Sequence, residues 1–193
     1  KINLSNILGT FIYNDYLLDR DIQTKAGGVV NDLVTHWKYI ILLKKDLINL
    51  ITLRMGEDIN LINYPLHHLI FSKLFFINSI DTYLISVLTI SFFLPLILYF
   101  LLKVRFENLD KSTILLLSSL IFILPVFQFS AIWGNNHNTA LIFFCLGIFY
   151  FNSFIKTDFK KNFKLVISIT FFTLACYTKQ FYIFFFIYLL FFL

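Results

Sequence analysis

Between Thr113 and Trp133 the chain reads TILLLSSLIFILPVFQFSAIW, a run without a charged residue that stops at Gly134 and Asn135. A hydrocarbon core about 30 Å thick is crossed by roughly 20 helical residues, so this stretch has the length of one membrane span. Its neighbours repeat the pattern. Tyr83 to Leu102 is uncharged and ends at Lys103 and Arg105, while Thr139 to Ile155 is followed by Lys156, Lys160, Lys161 and Lys164. The last run, Leu165 to Leu193, is interrupted by Thr178, Lys179 and Gln180. Two short helices meeting at a polar turn fit it best; the alternative is one long helix with Lys179 near its middle, costly in lipid unless that lysine is paired or lines a wet cavity. Four or five spans are therefore expected over residues 81–193. Pro95 and Pro125 fall inside the first two, where proline is tolerated and kinks the helix.

Composition agrees with that reading. Of 193 residues, 59% are hydrophobic and only 14% charged, and the mean hydropathy is +0.79, which excludes a water-facing globule. The 26 Phe, 10 Tyr and 2 Trp exclude intrinsic disorder. Phe, Ile, Asn, Lys and Tyr are abundant together, as translation of an AT-rich genome makes them, so the Phe excess implies no aromatic function. Cys145 and Cys176 lie in apolar runs and act as small hydrophobes, giving neither a disulfide framework nor a cysteine metal site. Because the chain opens on Lys1, has Met55 as its single methionine and closes inside an apolar run, sequence is expected to be missing at both ends.

Basic loops of a membrane protein mark the cytoplasmic side. The two short loops richest in Lys and Arg, 103–111 and 156–164, fall on one side by parity, whereas the turn 133–138 has none. Residues 1–80, the turn 133–138 and the turn 177–180 are thereby gathered on the non-cytoplasmic face. Residues 1–80 hold most of the acidic residues and read as loops and amphipathic interfacial helices. Tyr39 to Leu53 is one such helix; Tyr64 to Phe76 is a second, with Pro65 in its first turn and Lys73 snorkelling to water. The expected fold is all-α: a polytopic transmembrane helical bundle with non-cytoplasmic interfacial helices.

Sidedness collects a set of chemically capable groups: Asp32 and His36, His67 and His68, Asn135, Asn136 and His137, then Lys179 and Gln180. Asp32 suits either a cap at the start of a Leu33 helix or a catalytic carboxylate, and His36 lies one turn further along the same face. His67 and His68 diverge by about 100° on a helix and lack a carboxylate at zinc spacing, so they read as interfacial polar residues rather than metal ligands. Asn135 to His137 read as a turn after a span, with Trp133 as a belt aromatic. No acidic residue follows Lys179 or shares its run, and a phosphate suits it. P-loop, GxGxxG, GxSxG, HExxH and CxxC patterns are all missing, and so is a basic groove with stacked aromatics, which leaves nucleotide hydrolysis and nucleic-acid binding without support.

The order of these features resembles the GT-C superfamily of membrane glycosyltransferases, which includes the protein O-mannosyltransferases and the aminoarabinose transferases. Asn31-Asp32-Leu33-Val34-Thr35-His36 stands where that family has its acidic motif, with Leu33 in place of a second acid. Asn63-Tyr64-Pro65-Leu66-His67-His68-Leu69 is similar to its His-Pro-Pro-Leu-Tyr type helix, and Ser130 to Leu141 to the segment before a later span. Leu174-Ala175-Cys176-Tyr177-Thr178-Lys179-Gln180 is similar to its Leu-Leu-Thr-Lys turn. The resemblance runs from about Gly27 onward and implies one further N-terminal span and several C-terminal ones.

It also implies transfer of a sugar from a polyprenyl-phosphate donor to a glycan, lipid or protein acceptor on the non-cytoplasmic face. In that reading Asp32 is the catalytic base, and His36, Asn136, His137, Lys179 and Gln180 bind substrate. No metal ligand set or certain cofactor follows, and a divalent-metal requirement stays open. A multi-pass protein of a bacterial inner membrane is favoured over one of the endoplasmic reticulum. Rival readings are a transporter or flippase with a broken-helix site at Lys179, a glycan polymerase or ligase using lipid-linked sugar, and a non-catalytic membrane subunit.

Overall fold

The structure, a computed structural model, describes residues 29–45, 66–157, 162–184 and 186. Every regular element among them is helical: α1 Val29–Lys45, α2 Leu66–Lys73, α3 Ile80–Ser91, α4 Phe93–Arg105, α5 Lys111–Ser119, α6 Pro125–Ile132, α7 His137–Ile155 and α8 Asn162–Thr178, with 3-10 turns at Leu120–Ile123 and Gln180–Ile183. Two helical stretches are long and apolar enough to cross a membrane, Ile80–Arg105 with 26 residues and His137–Ile155 with 19. Lys111–Ile123 with Pro125–Ile132 makes a third if the bent pair is one span. Among the described residues, two or three candidate spans thus stand where the sequence suggests four or five, because α8 reaches only 17 residues before it stops and the chain beyond residue 186 lies outside the description.

Proline explains two of the breaks. Pro95 has no N–H for the carbonyl of Ser91 and its ring crowds that carbonyl, and a turn at Phe92 separates α3 from α4 inside the long apolar stretch. Leu124 is extended, with ψ of 123°, as the residue before a proline prefers. Pro125 then opens α6 at its first turn, where a missing donor costs nothing. At Pro125 the expected kink is a full interruption, with the two helices bent by 62°, whereas Ile80–Arg105 runs past Pro95 as one helical stretch.

Contacts divide the chain into two compact units. Of the described residues, 29–45, 66–89 and 122–135 belong to the first. In it α1 buries Leu33, Ile40 and Leu43, spaced as one helical face, against α2, which buries His67, His68 and Phe71. Tyr83 and Val87, one turn apart on α3, are also fully enclosed. Ser79 and Thr82 start α3 by a reciprocal cap: the Ser79 N–H donates to Thr82 Oγ1 at 3.0 Å and the Thr82 N–H to Ser79 Oγ at 3.2 Å.

Described residues 90–121, 136–157, 162–184 and 186 belong to the second unit. Its centre is the pairing of α7 with α8, to which α4 adds a further helix on α7. Gly147 lets the two backbones approach, since a Cβ there would stand 2.9 Å from Phe172 Cδ1. The Ser168 hydroxyl donates to the Gly147 carbonyl at 2.8 Å across the same contact. Small and hydroxylated residues at a helix interface are what lipid demands, because tails as apolar as leucine give helices no hydrophobic reason to associate. Leu115, Leu116, Leu117, Val166 and Ile169 point outward and exposed, which fits a hydrocarbon surrounding rather than water.

Candidate functional site

In the first unit, Asp32 lies within the first turn of α1, which begins at Val29, rather than at a cap before Leu33. Its backbone is one turn ahead of His36, as the sequence suggests; its side chain lies outside the described residues. His36 does not stand alone. Its Nδ1 is 2.6 Å from Nε2 of His68, and the two rings stack with centroids 4.9 Å apart. Tyr39, one turn further along α1, meets the His68 ring edge-on at 5.1 Å.

His67 turns the other way, as adjacent helical residues must. Its Nε2 is 2.9 Å from the Tyr83 hydroxyl, and that hydroxyl donates to the carbonyl of Gly134. A carbonyl only accepts, so the hydroxyl proton is committed to Gly134. Tyr83 must then accept from His67, which fixes the Nε2–H form of that imidazole. His67 and His68 are 0% and 5% exposed, which corrects the reading of them as interfacial polar residues: α1 covers them. Burial of polar rings is tolerated because each has a hydrogen-bond partner. Among the described residues, no three His, Cys, Asp or Glu side chains are arranged to hold a metal ion.

In the second unit three of the expected residues converge. Asn136 precedes α7 and its side-chain amide donates to the carbonyl of Thr178, the last residue of α8, at 3.1 Å. This satisfies one of the carbonyls that a helix C-terminus leaves open. Lys179 follows in extended conformation, φ −148° and ψ 117°, between α8 and the 3-10 turn Gln180–Ile183. The chain is therefore interrupted at Lys179, and a single long helix through it is excluded. His137 stacks on Phe181 with ring centroids 6.4 Å apart and stands within electrostatic reach of Lys179. Gln180 is exposed at the start of the 3-10 turn.

Asp32 and His36 thus belong to one unit, and Asn136, His137, Lys179 and Gln180 to the other. Tyr83 and Gly134 escape sequence reasoning. Tyr83 looks like the first apolar residue of a span, and only the glycine at the end of the preceding uncharged run hints at a turn closed from outside.

Compared with known protein families, with curated proteins and with solved structures, the chain matches none.

Proposed function

We propose that this chain belongs to a multi-pass membrane glycosyltransferase of the GT-C type, a polytopic bundle that moves a sugar from a polyprenyl-phosphate donor to an acceptor on the non-cytoplasmic face. The observation that carries the reading is the turn where Asn136, His137 and Lys179 meet at the end of α8. A cation, an imidazole and the exposed amide of Gln180 beside an apolar helix end suit a phosphate at the lipid boundary.

In this reaction the acceptor oxygen attacks the anomeric carbon with inversion, and Asp32 takes its proton. The bond from that carbon to the phosphate oxygen breaks, and polyprenyl phosphate leaves with the electron pair, its new charge balanced by Lys179. His36 orients Asp32, one turn away on α1. His137 and Gln180 hydrogen-bond the sugar or the phosphate, while Asn136 holds the turn.

The test uses full-length protein in lipid, incubated with radiolabelled polyprenyl-phosphate sugars and a membrane glycan extract. Transfer is expected with wild type, falling roughly a hundredfold or more in Asp32→Asn and by a similar order in Lys179→Ala. Full activity in both variants removes the chemical basis of the proposal. Consumption of no donor, with lipid-linked sugar still bound or translocated, gives the site to a transporter, for which the break at Lys179 is the supporting feature.

A further inference from the structure

The turn joining α2 to α3 is built from its own hydrogen bonds. The Ile77 N–H donates to the Leu74 carbonyl at 3.2 Å, and the N–H groups of Asn78 and Ser79 both donate to Thr82 Oγ1. Ile77 is fully buried, and its carbonyl accepts from the Lys44 ammonium at the end of α1. The turn is therefore fastened at its base, and no polar need of its own explains what it displays.

It displays two phenyl rings. Phe75 is 88% exposed and Phe76 48%, packed edge to face with centroids 5.5 Å apart. Exposed lysines end the two helices that lead to this turn or are fastened to it: Lys44 and Lys45 in the last turn of α1, with Lys44 bonded to Ile77, and Lys73 in the last turn of α2. Asp81, in the first turn of α3, is the carboxylate nearest in sequence to this turn. Three residues beyond Ile77 begins the apolar stretch Ile80–Arg105. Aromatic rings just before an apolar helix, with exposed lysines at the adjoining helix ends, match a bilayer's own profile of acyl chains beneath phosphates. Three lysines stand against two carboxylates, Asp81 and Asp46, which follows Lys45 in sequence, and the remaining positive charge selects among lipids, because an acidic headgroup leaves its phosphate charge uncancelled and a choline headgroup does not.

We propose that this turn is an anchor for acidic phospholipid. Phe75 and Phe76 enter the acyl boundary of one leaflet, and Lys45 and Lys73 hold the phosphates of acidic lipids above them, while Lys44 fastens the turn. The surface is independent of the sugar-transfer reading and stands or falls without it.

The experiment places Phe75→Trp in the full chain, reconstituted in mixed bilayers containing brominated phosphatidylglycerol or brominated phosphatidylcholine. The readout is the emission gained over wild type, whose Trp37 and Trp133 remain. An 88% exposed position accommodates the larger ring. Strong quenching by brominated lipid is expected, with phosphatidylglycerol preferred, and the preference falling about fivefold for each lysine removed in Lys45→Gln and Lys73→Gln. Raised salt has the same effect. Quenching by aqueous acrylamide but by neither lipid overturns the proposal, since the turn is then in water. Equal quenching by both lipids overturns it too, because the lysines then select nothing. Weak quenching by every agent places the turn against protein and overturns it equally.

Discussion

The hydroxyl of Tyr83 donates to the carbonyl of Gly134, 51 residues further along the chain. Gly134 has φ of +68°, and a Cβ on it would lie 2.7 Å from Tyr83 Cε1. The tyrosine thus both closes the turn after α6 and requires that a glycine stand there. Gly134→Ala brings a left-handed backbone penalty of about 1–2 kcal/mol and a steric clash in addition. Tyr83→Phe instead keeps the ring and leaves the Gly134 carbonyl and the His67 N–H without it, at about 1–3 kcal/mol. Unfolding in detergent should rank Gly134→Ala at least as destabilised as Tyr83→Phe; a wild-type melting curve for Gly134→Ala would contradict the turn geometry.

His67 donates through Nε2 to an oxygen whose own proton is committed elsewhere. A glutamine extends its amide to about the reach of Nε2, whereas asparagine reaches only the Nδ1 position. His67→Gln should therefore keep most of the stability, and His67→Asn should lose about 1–3 kcal/mol, like other buried groups left unsatisfied. Nitrogen-15 spectra of labelled histidine offer a direct check, with Nε2 of His67 protonated. An Nε2 that carries no proton would reverse the donor assignment.

What could be read from the sequence alone follows from how local each signal is. Arg105, Gly134 and the turn at Lys179 mark helix ends through charge, glycine and polarity within a few residues, and the helices stop there. The break at Leu124 is legible in Pro125 for the same reason. The histidine cluster is different. His36 and His68 are 32 residues apart, and His67 and Tyr83 are 16 apart, so their meeting depends on how α1 lies on α2, which no periodicity encodes. A histidine pair on a short helix looks interfacial until a partner helix covers it. Asn136 shows the same dependence: its amide donates to the end of α8, a bond visible only once the two helices are paired.

The α7–α8 contact makes a prediction about volume. Phe172 is 3% exposed, and a Cβ at position 147 would lie 2.9 Å from its ring. Gly147→Ala forces that ring or the helices apart, costing about 1–3 kcal/mol as overpacking does. Phe172→Leu destabilises by leaving a gap, yet in combination the two changes should cost less than their sum. Strict additivity in a double-mutant cycle would mean that the two residues do not touch.

Acid should loosen the start of α5. Asp110 is its N-cap, and its carboxylate accepts from the Thr113 N–H at 2.9 Å and from the Thr113 hydroxyl at 2.6 Å. These bonds favour the ionised form and hold its pKa below the ordinary carboxylate value of 3.8. A pKa lowered by folding stabilises the folded state fully above the unfolded value and loses that contribution as pH falls through the folded one. The first turn of α5 should therefore keep its amide protection from neutral pH down to about pH 4 and lose it progressively below. Asp110→Asn keeps an acceptor oxygen without the charge, so its exchange profile should be flat over the same window. Thr113→Val, which deletes the hydroxyl donor alone, should move the transition upward in pH. An unchanged transition in Thr113→Val would show that the side-chain bond does not set the carboxylate's affinity for its proton.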